Sequence, residues 1–244
     1  MIINNENFIK NAFTEHELKN GAFIDLNGKC PLLTISLIES IKDKIDFNEI
    51  KVILDIGSRD GCQSLELNRW FPQAKIYAFE PVKNNYEFTV NNVFNVKNIE
   101  VYPYAINNYN GKTIFYEVVN GNVGASSLLR TTNHWRSSQW QQKETEVDCI
   151  LLSDWLKQKN ITKVDLIWMD VQGAEKIVLD SLNEYLTDVK IIATEVGIQQ
   201  LYENSTSKLD LEKKLIDFIS INELTESSMT EMDIIYVHKK LIND

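Results

Sequence analysis

Cysteine is scarce in this chain of 244 residues: Cys30, Cys62 and Cys149 are odd in number and far apart. Neither a disulfide framework nor the paired spacing of a metal site can be assembled from them, which points to a reducing, cytoplasmic setting. Long hydrophobic runs are absent as well. No stretch approaches the ~20 apolar residues needed to span a bilayer, so no membrane partner is expected. The opening Met1-Ile2-Ile3-Asn4-Asn5-Glu6-Asn7 lacks the basic start and apolar core of a secretory signal. Basic charge is in deficit, since 25 Lys and Arg against 35 Asp and Glu leave a formal net charge of −10. Nucleic acid is therefore not the expected partner, because holding its backbone requires a basic surface. Repeats, low-complexity tracts and long linkers are missing too. The remaining composition, 43% hydrophobic and 25% charged, is that of a soluble globular protein able to bury a sizeable core.

One stretch organises what is present: Val52-Ile53-Leu54-Asp55-Ile56-Gly57-Ser58-Arg59-Asp60-Gly61. A short apolar run reads as a buried strand, and it ends in an acid and two glycines. The segment after it, from Cys62 to Trp70, has the apolar spacing of a helix. Strand, tight turn and helix start form the nucleotide-binding corner of an open α/β sheet. Glycine suits a sharp turn where backbone must approach a ligand, and a helix N-terminus offers unpaired N–H groups to an anion. A second acid closes the next expected strand, Lys75-Ile76-Tyr77-Ala78-Phe79-Glu80-Pro81. Placed there, Glu80 suits the two hydroxyls of a ribose. Together these features imply an adenosyl cofactor.

The pattern predicts helices around 6–19 and 31–44, then a helix over 83–94 and a third strand over Ile99–Ile106. Asn107-Asn108-Tyr109-Asn110-Gly111 is a turn signal, and Lys112–Val118 alternates as a hairpin strand does. A polar stretch carrying Trp135 and Trp140 leads to a strand over Thr145–Leu151, and Ser153 or Asp154 caps a short helix. The strand Val164–Asp170 runs into Gln172-Gly173-Ala174-Glu175 and another helix. A strand over Lys190–Val196, a helix over Leu209–Ile219 and a last strand over Ile234–His238 complete the chain. The expected organisation is an N-terminal helical extension over residues 1–50, packed on one domain over 51–244. A lid-like insertion is expected at about 107–145.

These pieces, in this order, resemble the FkbM-type methyltransferases. The resemblance rests on Leu54–Gly61, Ala78-Phe79-Glu80-Pro81, Ala125-Ser126-Ser127-Leu128, Thr145-Glu146-Val147-Asp148 and Asp165–Glu175, across roughly residues 50–200. Two positions depart from it: Arg59 stands where many methyltransferases carry glycine, and Gln172 where the family often has Glu. The resemblance implies a doubly wound α/β fold with a mostly parallel seven-stranded sheet, the Rossmann-like class I methyltransferase fold, its last strand antiparallel. It further implies an S-adenosylmethionine-dependent methyltransferase that methylates a hydroxyl of a small acceptor, a sugar or glycan being the favoured class.

Methyl transfer is an in-line displacement in which the protein positions donor and nucleophile, and a general base assists a hydroxyl nucleophile. The expected cofactor residues are Asp55, Gly57, Ser58, Arg59 and Gly61 at the methionine end. Glu80 and Pro81 belong at the ribose, Tyr104 and Ala105 beside the adenine. Asp170, ending a central strand, is the first candidate for base or cofactor contact, Glu195 the second and His134 the third. Plainer readings exist for each: a helix cap for Asp170, a solvated strand end for Glu195, an exposed loop histidine for His134. Trp135 and Trp140 suit either an acceptor site or packing of the lid. No metal-ligand set is evident. Two other classes compete, a nicotinamide-dependent oxidoreductase and a non-catalytic protein that keeps the fold. The first lacks its G-x-G-x-x-G fingerprint here.

Overall fold

The computed structural model describes residue 41, residues 45–225 and residues 230–242, with the backbone alone over 222–225. The helix expected over 6–19 lies outside these residues, as does that over 31–44 apart from Ile41, and most of the 1–50 extension. Ile41 and Ile45 are described, and both are buried in the core.

The strands are β1 (Val52–Ile56), β2 (Lys75–Phe79), β3 (Ile99–Tyr102), β4 (Ala105–Ile106), β5 (Gly111–Asn120), β6 (Gln141–Ile150), β7 (Leu166–Met169), β8 (Ile191–Gly197), β9 (Phe218–Thr225) and β10 (Glu231–His238). The helices are α1 (Cys62–Trp70), α2 (Lys83–Val93), α3 (Leu152–Gln158), α4 (Glu175–Ser181) and α5 (Lys208–Lys214). Seven strands form the main sheet in the order β3-β2-β1-β7-β8-β10-β9. The pairings from β3 to β8 are parallel, and β10 runs antiparallel to both of its neighbours. The expected class of fold and the antiparallel last strand are both present.

Side-chain alternation builds a core on each face of this sheet. Leu54, Ile167, Met169, Ile192 and Ile234 face one way, onto Leu156 of α3, Val178 and Leu179 of α4 and Leu211 of α5. Ile53, Leu166, Trp168, Ile191 and Ile235 face the other way, onto Leu65 and Leu67 of α1 and Val93 of α2. At the edge opposite the strand C-termini, Asp165 accepts hydrogen bonds from the N–H groups of Lys51 and Val52 at 2.9 and 3.0 Å. Lys190 Nζ lies 3.4 Å from the same carboxylate. That one acid ties the starts of β1, β7 and β8 together, so their other ends are held in register.

Three expectations are corrected. The strand read as Ile99–Ile106 breaks at Pro103, which has no N–H to donate to a ladder. Its first half stays in the main sheet, and its second half becomes β4, parallel to β6 in a three-stranded sheet with β5. The helix read as Leu209–Ile219 ends at Lys214, and Phe218 begins β9. Leu211 and Leu215 supply the helix with a buried stripe, but Ile216 is 67% exposed and cannot extend it. The Ser153 or Asp154 cap is absent: the N-cap of α3 is Leu151, whose N–H donates to Asn110 Oδ1 at 2.8 Å. Asp154 instead accepts from Asn110 Nδ2 at 2.7 Å, so the turn after β4 caps this helix from a distance.

Strand order reverses between β1 and β7, and Gly57 sits at that reversal. Its φ is +86°, and a Cβ there would stand 2.0 Å from the backbone oxygen of Asp170. Gly111 is a useful contrast, with φ +147° but nothing within 4 Å of an added Cβ. Gly57→Ala is expected to cost at least ~2 kcal/mol more than Gly111→Ala, since it adds overlap to backbone strain. Urea unfolding of the two variants checks this; equal midpoints would contradict it.

Candidate functional site

A cavity of about 250 Å³ opens at the C-terminal ends of β1, β2 and β7. This is the crevice outside the strand ends where open α/β sheets bind ligands. The turn after β1 forms its floor. Gly57 and Ser58 donate their N–H groups to the carbonyl of Phe79 at 3.1 and 3.0 Å, which lashes the turn to the end of β2. Arg59 is left-handed at φ +50°, and Gly61, at φ +82°, is the N-cap of α1. A Cβ on Gly61 would press on Thr89 and Val93 of α2 at 3.1 Å, so the glycine permits close packing of α1 on α2.

Glu80 leaves β2 with its carboxylate fixed by backbone. Arg59 N–H donates to Oε2 at 3.0 Å and Val82 N–H to Oε1 at 2.8 Å. Only 5% of the residue is exposed, and burial pushes its pKa up to about 8 against the pull of those hydrogen bonds. Asp60 is buried beside it, accepts from the N–H of Cys62 at 2.9 Å, and is likewise raised, chiefly by burial. On the opposite wall Asp170 reaches the cavity from the end of β7. Phe79, Tyr104, Ile106 and Phe115 add apolar surface, and the short 3-10 turn Val123–Ala125 closes over one side. The Arg59 side chain packs on that turn, where a Cβ on Gly124 would meet its Nη1 at 3.0 Å.

Of the residues singled out from sequence, Gly57, Arg59, Glu80, Pro81, Tyr104, Ala105 and Asp170 line this one cavity. Asp55 and Ser58 do not. Asp55 is fully buried behind the turn, where Ser64 Oγ–H donates to its Oδ2. Its Oδ1 and the hydroxyl of Ser58 are buried without a hydrogen-bond partner. Burial pushes Asp55 up to about 7, with Ser64 pulling the other way. Gly61 shapes the turn but does not face the cavity.

Glu195 and His134 also lie elsewhere. Glu195 faces a second, much smaller pocket with Glu175, Gln199, Tyr202 and Glu231. Both ring nitrogens of His134 are engaged: Nδ1 accepts from the N–H of Arg136 at 3.3 Å, and Nε2 lies 2.7 Å from Gln199 Oε1. Trp140 packs at 6.2 Å on Tyr202, the packing reading of that residue, whereas Trp135 is 66% exposed. Asp170 does not cap α4, whose N-cap is Ala174.

Sequence reasoning missed the lining residues Asp60, Asn85, Ser126 and Leu128. Asp60 lay inside the glycine turn, and Ser126 and Leu128 inside a quoted motif, so a signal existed for them. It also missed the link between the two pockets. Gln172 Nε2 donates to Asp170 Oδ1 at 2.6 Å and to Glu195 Oε2 at 3.0 Å, and Tyr202 lies 30 residues on. Among the described residues no group of three or more His, Cys, Asp or Glu side chains is placed to hold a metal ion.

The donor set fits a nucleoside carrying a charged tail. Glu80 offers carboxylate lone pairs to a vicinal diol, the aromatic and aliphatic wall suits a flat base, and Arg59 can meet an anionic group. A strand-end acid pair around a glycine turn at the sheet's reversal is an arrangement that suits a nucleotide-type ligand on a doubly wound sheet. The family model described as the methyltransferase FkbM domain matches residues 55–225, and the chain belongs to that family.

Two curated relatives fit this membership. The chain is 33% identical over 160 residues to the 2-O-methyltransferase NoeI of Sinorhizobium fredii (strain NBRC 101917 / NGR234), covering 62% of this chain and 65% of that protein. It is 28% identical over 160 residues to Methyltransferase 1 of Beauveria bassiana (strain ARSEF 2860), covering 60% and 64%. The chain thus matches just under two thirds of the length of each. Among solved structures, a fibrillarin/Nop5p complex superposes with a TM-score of 0.52 at 15% identity, over 84% of this chain and 80% of that one. That likeness concerns the fold.

The raised carboxyls carry a consequence for stability. The ordinary value for Glu80 is 4.5 and burial lifts it to about 8 in the folded chain, so folding takes up a proton between those values. Stability from this group is therefore fully present below its ordinary value and is lost as pH rises towards about 8. Asp55 and Glu175 act in the same direction. In the unliganded protein, Glu80→Gln is expected to flatten, without abolishing, the fall in melting temperature between about pH 5 and about pH 8. Calorimetric scans across that range check it; an unchanged slope would contradict it.

Proposed function

We propose that this chain is an S-adenosylmethionine-dependent O-methyltransferase acting on a hydroxyl of a small acceptor, a sugar or glycan being the favoured class. The observation that carries the reading is the pairing of Glu80 and Asp170 across one cavity at the sheet's reversal, with Glu80 oriented by two backbone N–H groups. S-adenosylmethionine supplies an activated methyl group on a sulfonium. Glu80 and Pro81 hold the ribose end, Tyr104 and Ala105 flank the base, and Arg59 with the Gly57 turn takes the amino-acid end. Asp55 and Ser58 support that turn from behind. Asp170 orients the acceptor hydroxyl and accepts its proton as the oxygen attacks. The insertion over 107–145 acts as lid and acceptor-recognition element, with the exposed Trp135 a platform for an apolar sugar face.

A small neutral acceptor agrees with the net charge of −10, and the name of the first relative, a 2-O-methyltransferase, favours a hydroxyl nucleophile. A cytoplasmic setting belongs to the same reading, supported by the buried free thiols of Cys62 and Cys149. No helix among the described residues is long and apolar enough to cross a membrane. Membership in a methyltransferase family tells against the nicotinamide-dependent alternative. The non-catalytic alternative is separated by assay.

The test is transfer of radiolabel from methyl-labelled S-adenosylmethionine to a panel of neutral mono- and oligosaccharides. Label is expected in a carbohydrate product, with Asp170→Asn lowering the rate by a factor on the order of 10² or more. Donor binding without transfer to any hydroxylated acceptor would point to a non-catalytic protein.

A further inference from the structure

Gln172 occupies a position with no role in the scheme above, yet its carboxamide makes three hydrogen bonds. Its backbone is left-handed at φ +53°, a conformation that costs a non-glycine residue of order 1 kcal/mol or more. Gly173 follows at φ +95°, where a Cβ would stand 2.8 Å from the Cβ of Ser205. The two left-handed residues fold the Gln172 side chain back beneath the end of β7. There Nε2 donates to Asp170 Oδ1 at 2.6 Å and to Glu195 Oε2 at 3.0 Å. On the other side of the carboxamide, Tyr202 Oη–H donates to Oε1 at 2.8 Å. The backbone carbonyl of Gln172 accepts from Ser127 Oγ–H at 2.9 Å. The amide can take only this orientation, since the flipped form would set its oxygen against two carboxylates.

We propose that Gln172 is a positioning residue for the transfer reaction: its carboxamide holds the Asp170 carboxylate towards the donor cavity by bridging it to Glu195. The proposal rests on the methyl-transfer reading for the purpose of Asp170, but the bridge itself does not. Two carboxylates within 3.0 Å of one nitrogen repel each other. A neutral group with two N–H donors removes that conflict without contributing a titration of its own. Serine or asparagine would be too short to span both oxygens. Glutamate would add a third negative charge between them.

Further acids line the two pockets on either side of the bridge. Glu175 stands at the start of α4 and Glu231 at the start of β10, both on the small pocket with Glu195 and Tyr202. Asp60 and Glu80 line the cavity on the Asp170 side. The cations facing this region are Arg59 of the cavity and Arg136, whose Nη1 lies 3.6 Å from Glu231. The bridge also reaches the lid: Ser127 belongs to it, and the hydroxyl of Tyr202 lies 2.9 Å from the carbonyl of Ala125. Residues 125–127 and the Asp170 carboxylate are thereby joined through one residue.

The test uses the full chain and a readout that space-filling alone would not move. Carboxyl carbon resonances of Asp170 and Glu195 are followed against pH by NMR in wild type, Gln172→Met and Gln172→Glu. Methionine keeps the length and removes both donors; glutamate keeps the shape and adds a titrating group. In Gln172→Met one of the two midpoints is expected to rise by at least one pH unit, and in Gln172→Glu three groups titrate together. Should the methionine variant fail to fold, the glutamate variant alone decides the matter. Midpoints of Asp170 and Glu195 that stay where they are in wild type would overturn the proposal. Titration of wild type with S-adenosylhomocysteine is run alongside. Absence of binding there would count against the methyl-transfer reading, while the carboxyl midpoints judge the bridge.

Discussion

Where β1 and β7 lie side by side, their C-terminal turns compete for the same space, and Gly57 resolves the competition by having no side chain. The carbonyl of Asp170 occupies the place where a Cβ would be. Everything at the site depends on this approach. It brings the turn carrying Arg59 and Asp60 against the end of β2, and so delivers the Arg59 N–H to the Glu80 carboxylate. It also sets Asp170, reached by a separate strand more than a hundred residues along the chain, on the facing wall of the same cavity. Asp165 at the opposite edge keeps the strands level, so that their ends present a common rim.

The site carries an electrostatic cost that the fold accepts. Asp55, Glu80 and Glu175 are buried carboxyls whose pKa values burial lifts to about 7, 8 and 8. Asp55 and Glu175 each retain an oxygen with no hydrogen-bond partner. Proteins optimised only for stability do not keep such groups, because an unsatisfied buried polar atom costs ~1–3 kcal/mol. The two well-packed faces of the sheet supply the stability that offsets it.

Much of this was legible in the sequence, for identifiable reasons. The apolar strand, acid and glycine turn of 52–61, and the acid closing the strand at Glu80, are local patterns whose spacing states their geometry. Seven of the named site residues share one cavity because strand ends in an open sheet share one edge. What escaped was long-range. Whether residues 216–225 prolong a helix or add a strand depends on β10, which offers the pairing partner. The break at Pro103 depends on β6, which receives Ala105 and Ile106. The cap of α3 comes from Asn110, 41 residues away from Leu151. Gln172 looked like a weak substitute for an acid, and only the fold reveals that it stands between two carboxylates. His134 and Glu195 were drawn towards the cavity by their chemistry, but Glu195 faces the neighbouring pocket and His134 is held on Gln199, which lines that pocket.

The most direct test of the account is calorimetric titration of the purified chain with S-adenosylhomocysteine and, in parallel, with NAD⁺. The account predicts saturable binding of S-adenosylhomocysteine at one site per chain, no binding of NAD⁺, and loss of the first in Glu80→Ala with folding intact. Binding of NAD⁺ alone, or undiminished affinity in Glu80→Ala, would contradict the assignment of this cavity.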